Sequence, residues 1–461
     1  LTNTEKIPNA GIKQKEQVTL GSLEKTLEPL EKYGGFKILK NTISTFSSKG
    51  KQRAGVDNLD PEKRARKDIF YKDPHWAKAR NELKTRLQLW KGLLSEAKDF
   101  DQLLGKSVER ANTLSELRSK NLKIASESIR DLETSYRTLA SFFTNAEKSK
   151  GAKVDNIDLV NVSLEQLKDK DNPIFLTAIS EQFNLHYNRL DLMNNYSLLV
   201  VPGWLGSAQD VDRLAEVAAR HKIMFVTDFI DVDSAEDALT MLDSYQLQSA
   251  DLHKAYTCMT CNYLVGRPGT EDIDQEIYIP GSCALAGLMA ANPLQQPQAG
   301  VTHGRLKEIG GVKFPVKHTE LGELNELGIV PMTFEFGKAI AFGTSTLFNG
   351  DEPGYKNYSV IRTHDFIIKT IKDLFNRYTF RLIDFDLKKD IRSKLNKFFE
   401  SNKGSGKLIN KYEIKDLEVI DDDKLRVNID VQYWYPARVL EINLKGLEGT
   451  NTKEWDDHAT D

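Results

Sequence analysis

Two short apolar runs, SLLVVPG (Ser197 to Gly203) and IMFVTDF (Ile223 to Phe229), flank an amphipathic segment from about Asp210 to His221. Each run is too short for an ordinary helix and rich in β-branched or aromatic residues, so each reads as a buried strand. Strand, helix and strand at this spacing leave a right-handed βαβ unit as the natural arrangement. Helical segments such as Pro173 to Leu192 precede it. A further helix from about Ser234 to Tyr245 and a strand near Cys258 to Val265 extend it. Residues 151–348 therefore read as a central α/β domain, the largest independent core.

The preceding stretch, residues 61–150, is helical. Trp76, Ala79, Leu83, Leu87, Trp90 and Leu94 mark one stripe. Leu122, Ala125, Ile129, Leu132, Tyr136, Leu139 and Phe143 mark a stricter one, alternating steps of three and four. Such a narrow seam suits a helical hairpin or pairing with another chain's helix. Residues 1–60 hold few large apolar groups and cannot alone offset the entropy of ordering. Within them Leu20, Leu23, Leu27 and Leu30 form a short helical stripe interrupted by Pro29. It suits either a helix on its own domain or a docking peptide for a partner's groove.

Residues 349–461 form the last region. Thr363 to Tyr378 reads as a long amphipathic helix, and Ile391 to Phe399 as another, with Lys388, Lys389, Arg392, Lys394 and Lys397 as a basic face. Two strands close it, LRVNIDV (Leu425 to Val431) and VLEINL (Val439 to Leu444), before a polar tail after Gly446.

The chemistry is sparse. Lys and Arg total 64 against 67 Asp and Glu, a balance that argues against coating nucleic acid. No run approaches the roughly 18 apolar residues of a membrane span. The chain begins at Leu1 with no initiator Met, so residues can precede it, and no targeting segment is expected. Three cysteines give no disulfide framework and fit a reducing cytoplasm. Gly105-Lys106-Ser107 ends like a phosphate loop but has Phe100 in place of its first glycine and follows a helix. Asp228, Asp231 and Asp233 lack the glycine and glutamate of a calcium loop. Cys258 and Cys261 form a CxxC, yet on a strand the pair points to opposite faces. No cofactor or metal is expected, and no enzyme.

Three ordered stretches resemble contractile sheath proteins. The first is SLLVVPGWLGSAQDVDRLAEVAARHKIMFVTDF. The second is VGRPGTEDIDQEIYIPGSCALAGLMAANPLQQPQAGVTHGRLKEIGGV. The third is ELNELGIVPMTFEFGKAIAFGTSTLF followed by IRTHDFIIKTIKDLF, and VNIDVQYWYPARVLEINL fits the family's closing strands. Together with the helical N-terminal region, they resemble the large sheath subunit of type VI secretion systems (TssC/VipB family), in a divergent, Bacteroidota-like version.

The resemblance implies an α/β (α+β) sheath fold: an N-terminal helical hairpin, a central βαβ domain, and a C-terminal strand pair completing a sheet shared with neighbours. It implies a structural subunit, cytoplasmic, without catalytic residues, nucleic acid or membrane insertion. Its implied partners are a small sheath subunit (TssB/VipA type), further copies of itself in a helical polymer, an inner tube protein (Hcp type), a baseplate, and an AAA+ unfoldase (ClpV/TssH type). Residue by residue, the leucines at 20, 23, 27 and 30 would dock the ATPase. Leu122, Ile129, Leu132, Tyr136, Leu139 and Phe143 would meet the small subunit or form the hairpin seam. Leu425, Val427, Ile429, Val431, Leu440, Ile442 and Leu444 would line the inter-subunit sheet. Lys389, Arg392 and Lys397 would face the inner tube, the alternative being a solvated face. Competing readings are a one-component sheath of a phage tail or extracellular contractile injection system, and a soluble α/β enzyme.

Overall fold

The computed structural model describes residues 73–147, 154, 156–169, 173–191, 195–270, 275–437, 441–447 and 454–460. Leu20, Leu23, Leu27, Leu30 and Leu440 lie outside them. The chain divides into two compact units, 1–124 and 125–461.

The described part of the first unit is helical: α1 (Ala77–Glu96) and most of α2 (Phe100–Ser128). Asp99 starts α2 by accepting from the Gln102 amide at 2.8 Å, while Gln102 Oε1 accepts from the Lys98 amide at 2.7 Å. Two N–H groups that a helix start would leave unpaired are thereby satisfied. Both helices keep apolar side chains exposed, among them Leu83, Leu87 and Trp90 on α1 and Leu114 and Leu117 on α2.

In the second unit α3 (Arg130–Ala146) begins one residue after α2. The predicted seam runs through a shallow break at Ile129 (φ −108°, ψ 6°). Its amide still reaches the Ala125 carbonyl at 3.2 Å, and the Glu133 amide reaches its own carbonyl at 2.8 Å, so the helical ladder carries across. α4 (Ile174–Tyr187) leads to β1 (Leu198–Val201), α5 (Ala208–Arg220), β2 (Met224–Asp228), α6 (Ala235–Tyr245) and β3 (Thr257–Cys261). Ser207 and Ser234 start the two crossover helices, each hydroxyl accepting from the amide three residues on. The predicted strand from Cys258 to Val265 is two strands. Asn262 turns the chain at φ 73°, its side-chain Nδ2 donating to the carbonyls of Phe314 and Met332, both at 2.8 Å.

The hairpin β4 (Leu264–Arg267) and β5 (Ile277–Ile279) follows, then α7 (Ser282–Ala291), α8 (His318–Glu326), β6 (Ile329–Glu335) and β7 (Lys338–Ala341). The main sheet has the order β1-β2-β3-β6-β7, parallel except for β7, so the expected strand–helix–strand unit is present. Both faces are covered, as a parallel sheet requires. Phe225, Met259 and Ile329 meet Val211, Leu214 and Leu242 on one side. Met224, Val226, Cys258 and Val330 meet Leu285, Leu288 and Tyr358 on the other.

α9 (Tyr358–Asn376) carries the chain from this core into a third cluster, where Ile367 meets Leu387, Ile391, Leu395 and Phe399 of α10 (Phe385–Asn402). A hairpin of β8 (Lys411–Asp421) and β9 (Lys424–Gln432) packs on it, and β10 (Glu441–Leu447) pairs with β11 (Glu454–Thr460). The closing strands each have a further partner: β9 pairs with β8, and β10 with β11. One expectation is corrected here: the region after Gly446 is not only a polar tail, since it contains β11. Both unread strands, KYEIKDLEVID and EWDDHAT, are too acidic to show clean alternation, and their backbone pairing forms regardless of it.

Candidate assembly interface

α3 turns an unexpected side to the domain. Thr134, Thr138, Ser141 and Asn145 recur at steps of four, three and four. Ile129, Leu132, Tyr136, Leu139 and Phe143 recur at three, four, three and four on the opposite side. The usual amphipathic helix buries its apolar stripe. Here Thr138, Ser141 and Asn145 are buried, whereas Leu132 is 74% and Tyr136 70% exposed. Ile129 and Phe143 are also exposed, and Leu139 is half-buried.

Burying the polar stripe costs little because each group is already hydrogen-bonded. Thr134 Oγ1 donates to the Arg130 carbonyl and Thr138 Oγ1 to the Thr134 carbonyl, each at 2.8 Å. Ser141 donates to the Thr138 carbonyl at 2.6 Å. Asn145 donates to the Ser141 carbonyl at 2.8 Å and accepts from the Lys307 amide at 2.9 Å. These small side chains let α3 approach α7 closely at Gly287. A Cβ there would stand 2.4 Å from the Phe142 carbonyl oxygen and 3.0 Å from Asn145 Cβ, a space only glycine leaves open.

Charged groups fix the flank of α3. Glu133 accepts from Arg137 at 2.8 Å and Arg267 at 3.0 Å. Arg137 also donates to the Gly266 carbonyl at 2.9 Å, and Arg267 to Ser126 Oγ at 3.0 Å. The helix is thus held by its polar side and displays a rigid apolar ridge. A contiguous exposed ridge of this kind is the surface that another helix or sheet covers in a complex.

The other predicted positions are dispersed. Lys389 and Lys397 are exposed on α10. Arg392 instead donates to the carbonyls of Ile414 (3.3 Å) and Lys415 (2.7 Å), tying α10 to β8. Leu425, Val427, Ile429 and Val431 pack in the cluster around α10. Ile442 and Leu444 lie in β10.

The motif fragments are accounted for structurally. Cys258 and Cys261 belong to cores on opposite faces of the sheet, and burial pushes both thiols up, Cys261 to about 12. Lys106 and Ser107 sit inside α2, donating to the carbonyls of Glu96 and Leu103. Asp231 and Asp233 pair with Lys313 at 2.9 and 2.7 Å. Among the described residues no helix is long and apolar enough to cross a membrane.

Family models cover most of the chain. Residues 23–122 match the TssC/VipB-like N-terminal region, 124–349 the type VI secretion system TssC/VipB central domain, and 357–461 the TssC/VipB-like C-terminal domain. The chain belongs to the TssC/VipB family. It is a structural subunit of the contractile sheath of a type VI secretion system, not an enzyme, and sheaths of this family are helical polymers.

Solved structures similar to this TssC/VipB chain include the contracted helical sheath of the anti-feeding prophage (16% identity, 66% of this chain and 80% of that one, TM-score 0.46). The baseplate of the same particle matches at 15% identity over 58% and 72%, with a TM-score of 0.42. The contracted PVC sheath complex of an extracellular contractile injection system matches at 14% over 63% and 95%, with a TM-score of 0.41. No match is found among curated proteins.

For a TssC/VipB subunit the informative residues include several that the sequence reading passed over. The Thr/Ser/Asn stripe of α3 is visible in the sequence once its spacing is counted. Gly287, inside the small-residue helix SCALAGLMAA, carried no local signal of its role.

Proposed function

We propose that this subunit co-assembles in the cytoplasm with a small sheath subunit, and that the α3 ridge is where that partner docks. The inverted burial of α3 carries the reading: among the described residues Leu132 and Tyr136 belong to no core cluster and stand exposed. The tube would form around an inner tube protein on a baseplate, and Lys389 and Lys397 would face that inner tube. Negative-stain microscopy tests this with the chain alone, with the small subunit, and with both that subunit and the inner tube protein. Tubes only with the small subunit, and filled lumens with the inner tube protein, are expected. Tubes from the chain alone would support a one-component sheath instead, and empty lumens would remove the α10 assignment.

Two terminal roles complete the proposal. The β10–β11 hairpin pairs with no other described strand, and an isolated two-stranded hairpin is marginal in water. It is suited to completing a sheet with strands of neighbouring protomers by β-augmentation, leaving a hinge for contraction. Leu20, Leu23, Leu27 and Leu30 would present a recognition helix to the AAA+ unfoldase. Paired truncations separate these roles. Loss of residues 441–460 should stop tube growth with the heterodimer intact, and loss of 18–33 should leave tubes that no longer recruit the ATPase. Normal tubes from the first, or normal recruitment by the second, would refute the corresponding assignment.

A further inference from the structure

The turn joining β6 to β7 carries a strained aromatic residue. Glu335 pairs with Lys338, leaving Phe336 and Gly337 as the two central residues, with φ of 53° and 68°. A two-residue turn with both φ values positive favours Asn-Gly or Gly-Gly, because a Cβ is disfavoured there. Phe336 occupies it nonetheless and is 77% exposed. No burial offsets the strain, and uncompensated strain of this kind collects at functional surfaces.

Beside this turn lies a cavity of about 590 Å³ at the C-terminal end of α3. Asn145, Glu147, Leu288, Arg305, Phe334 and Lys338 line it, together with Lys307. The segment from Arg305 to Lys307 is itself built in, since the Leu306 amide donates to the Ala339 carbonyl at 2.9 Å and the Ala341 amide to the Gly304 carbonyl at 2.8 Å. Lys307 Nζ donates to the Glu147 carbonyl at 2.6 Å. Among the described residues neither Arg305 nor Lys338 has a carboxylate within ion-pair distance. The lining holds three permanent cations and His303 against Glu147 and Glu308. Its charge thus complements an anionic occupant, and Leu288 and Phe334 in the lining offer a side chain apolar contact. A helix is roughly 10–12 Å across, whereas an extended segment is narrower and enters such a pocket more easily.

We propose that this pocket takes an acidic, extended segment of the small sheath subunit, with Phe336 closing over it. The inference rests on the docking of that subunit along α3, because the same helix ends at the pocket, which Asn145 and Glu147 line. Charge complementarity at such a rim raises the association rate and its salt dependence.

The test uses the full chain co-expressed with the small subunit. The double variant R305E/K338E should weaken the pair roughly tenfold at low salt and flatten its salt dependence. Arg305→Gln with Lys338→Gln should give a smaller effect of the same sign, which guards against misfolding of the reversed variant. Phe336→Asn should raise the melting temperature of the chain alone while weakening the pair, since asparagine suits the turn and cannot close over a segment. A photoreactive residue at Thr302, which also lines the pocket, should crosslink to an acidic stretch of the small subunit. Unchanged salt dependence in both charge variants, with Leu132→Asp still abolishing the pair, would overturn the pocket and leave the α3 docking standing. If Leu132→Asp is also silent, both fail. A crosslink to a second copy of this chain would overturn the choice of occupant.

Discussion

Replacing both Leu132 and Tyr136 with aspartate is expected to abolish sheath formation and leave the protomer folded. The two side chains are 74% and 70% exposed, so the isolated fold loses little by their removal. The helix itself is indifferent, because its attachment runs through Thr138, Ser141, Asn145 and the Glu133 ion pairs on other sides. In the assembled sheath the same residues would be covered. Burying each large apolar side chain stabilises by roughly 1.5–3 kcal/mol, and a desolvated carboxylate in its place adds a further penalty. The combined loss is on the order of 5 kcal/mol, more than a thousandfold in affinity. Thermal melting of the double variant should stay within about 3 °C of the parent, surface changes being worth about 0.5 kcal/mol or less. Co-purification with the small subunit and sedimentable tubes should disappear together. A double variant that still makes tubes would remove the ridge from the interface. One that unfolds would show that the ridge belongs to the protomer's own core.

The contrast within α3 also marks how far the sequence could be read. The strict spacing from Leu122 to Phe143 established a helix and a seam, since 3.6-residue periodicity is a local property. It did not say which side faces the domain, because that depends on α7 offering Gly287, a contact between residues far apart in the chain. The central sheet was legible for the same local reason. SLLVVPG and IMFVTDF are mostly apolar runs with serine-capped helices behind them, and their parallel pairing follows from the connection. The C-terminal strands were less so. β9 alternates because its inner face packs on α10, whereas β8 and β11 carry acids through their length and β10 ends in Lys-Gly-Leu. Their pairing is written in backbone hydrogen bonds, which leave weak traces in side-chain pattern. Arg392 shows the same limit from another side: the charge run on α10 was visible, but not that one member bonds the carbonyls of β8.

Asp228→Ala is expected to cost about 3–5 kcal/mol of protomer stability. Asp228 ends β2 and is fully buried, and among the described residues no basic side chain bonds its carboxylate. One oxygen accepts from the Gly203 amide at 2.8 Å, and the other from the Ser282 amide at 2.8 Å and from Thr260 Oγ1. The carboxylate thus ties the loop after β1, the strand β3 and the first turn of α7 to one point. Burial pushes its carboxyl above the usual carboxylate range, against the pull of these donors. Alanine would leave two buried donors, Thr260 Oγ1 and the Ser282 amide, and the half-buried Gly203 amide without this acceptor, each buried one worth roughly 1–3 kcal/mol when unsatisfied. Asparagine keeps the shape but turns an N–H₂ toward at least one donor, so Asp228→Asn should fall between the parent and alanine. The check is denaturant unfolding of all three proteins, with the midpoint expected to drop in that order. An alanine variant as stable as the parent would mean that water replaces the carboxylate and that the three elements are held together elsewhere. Sheath assembly should follow stability in this series, whereas the α3 variants lose assembly at constant stability. That difference separates the residues that build the protomer from those that join it to its neighbours.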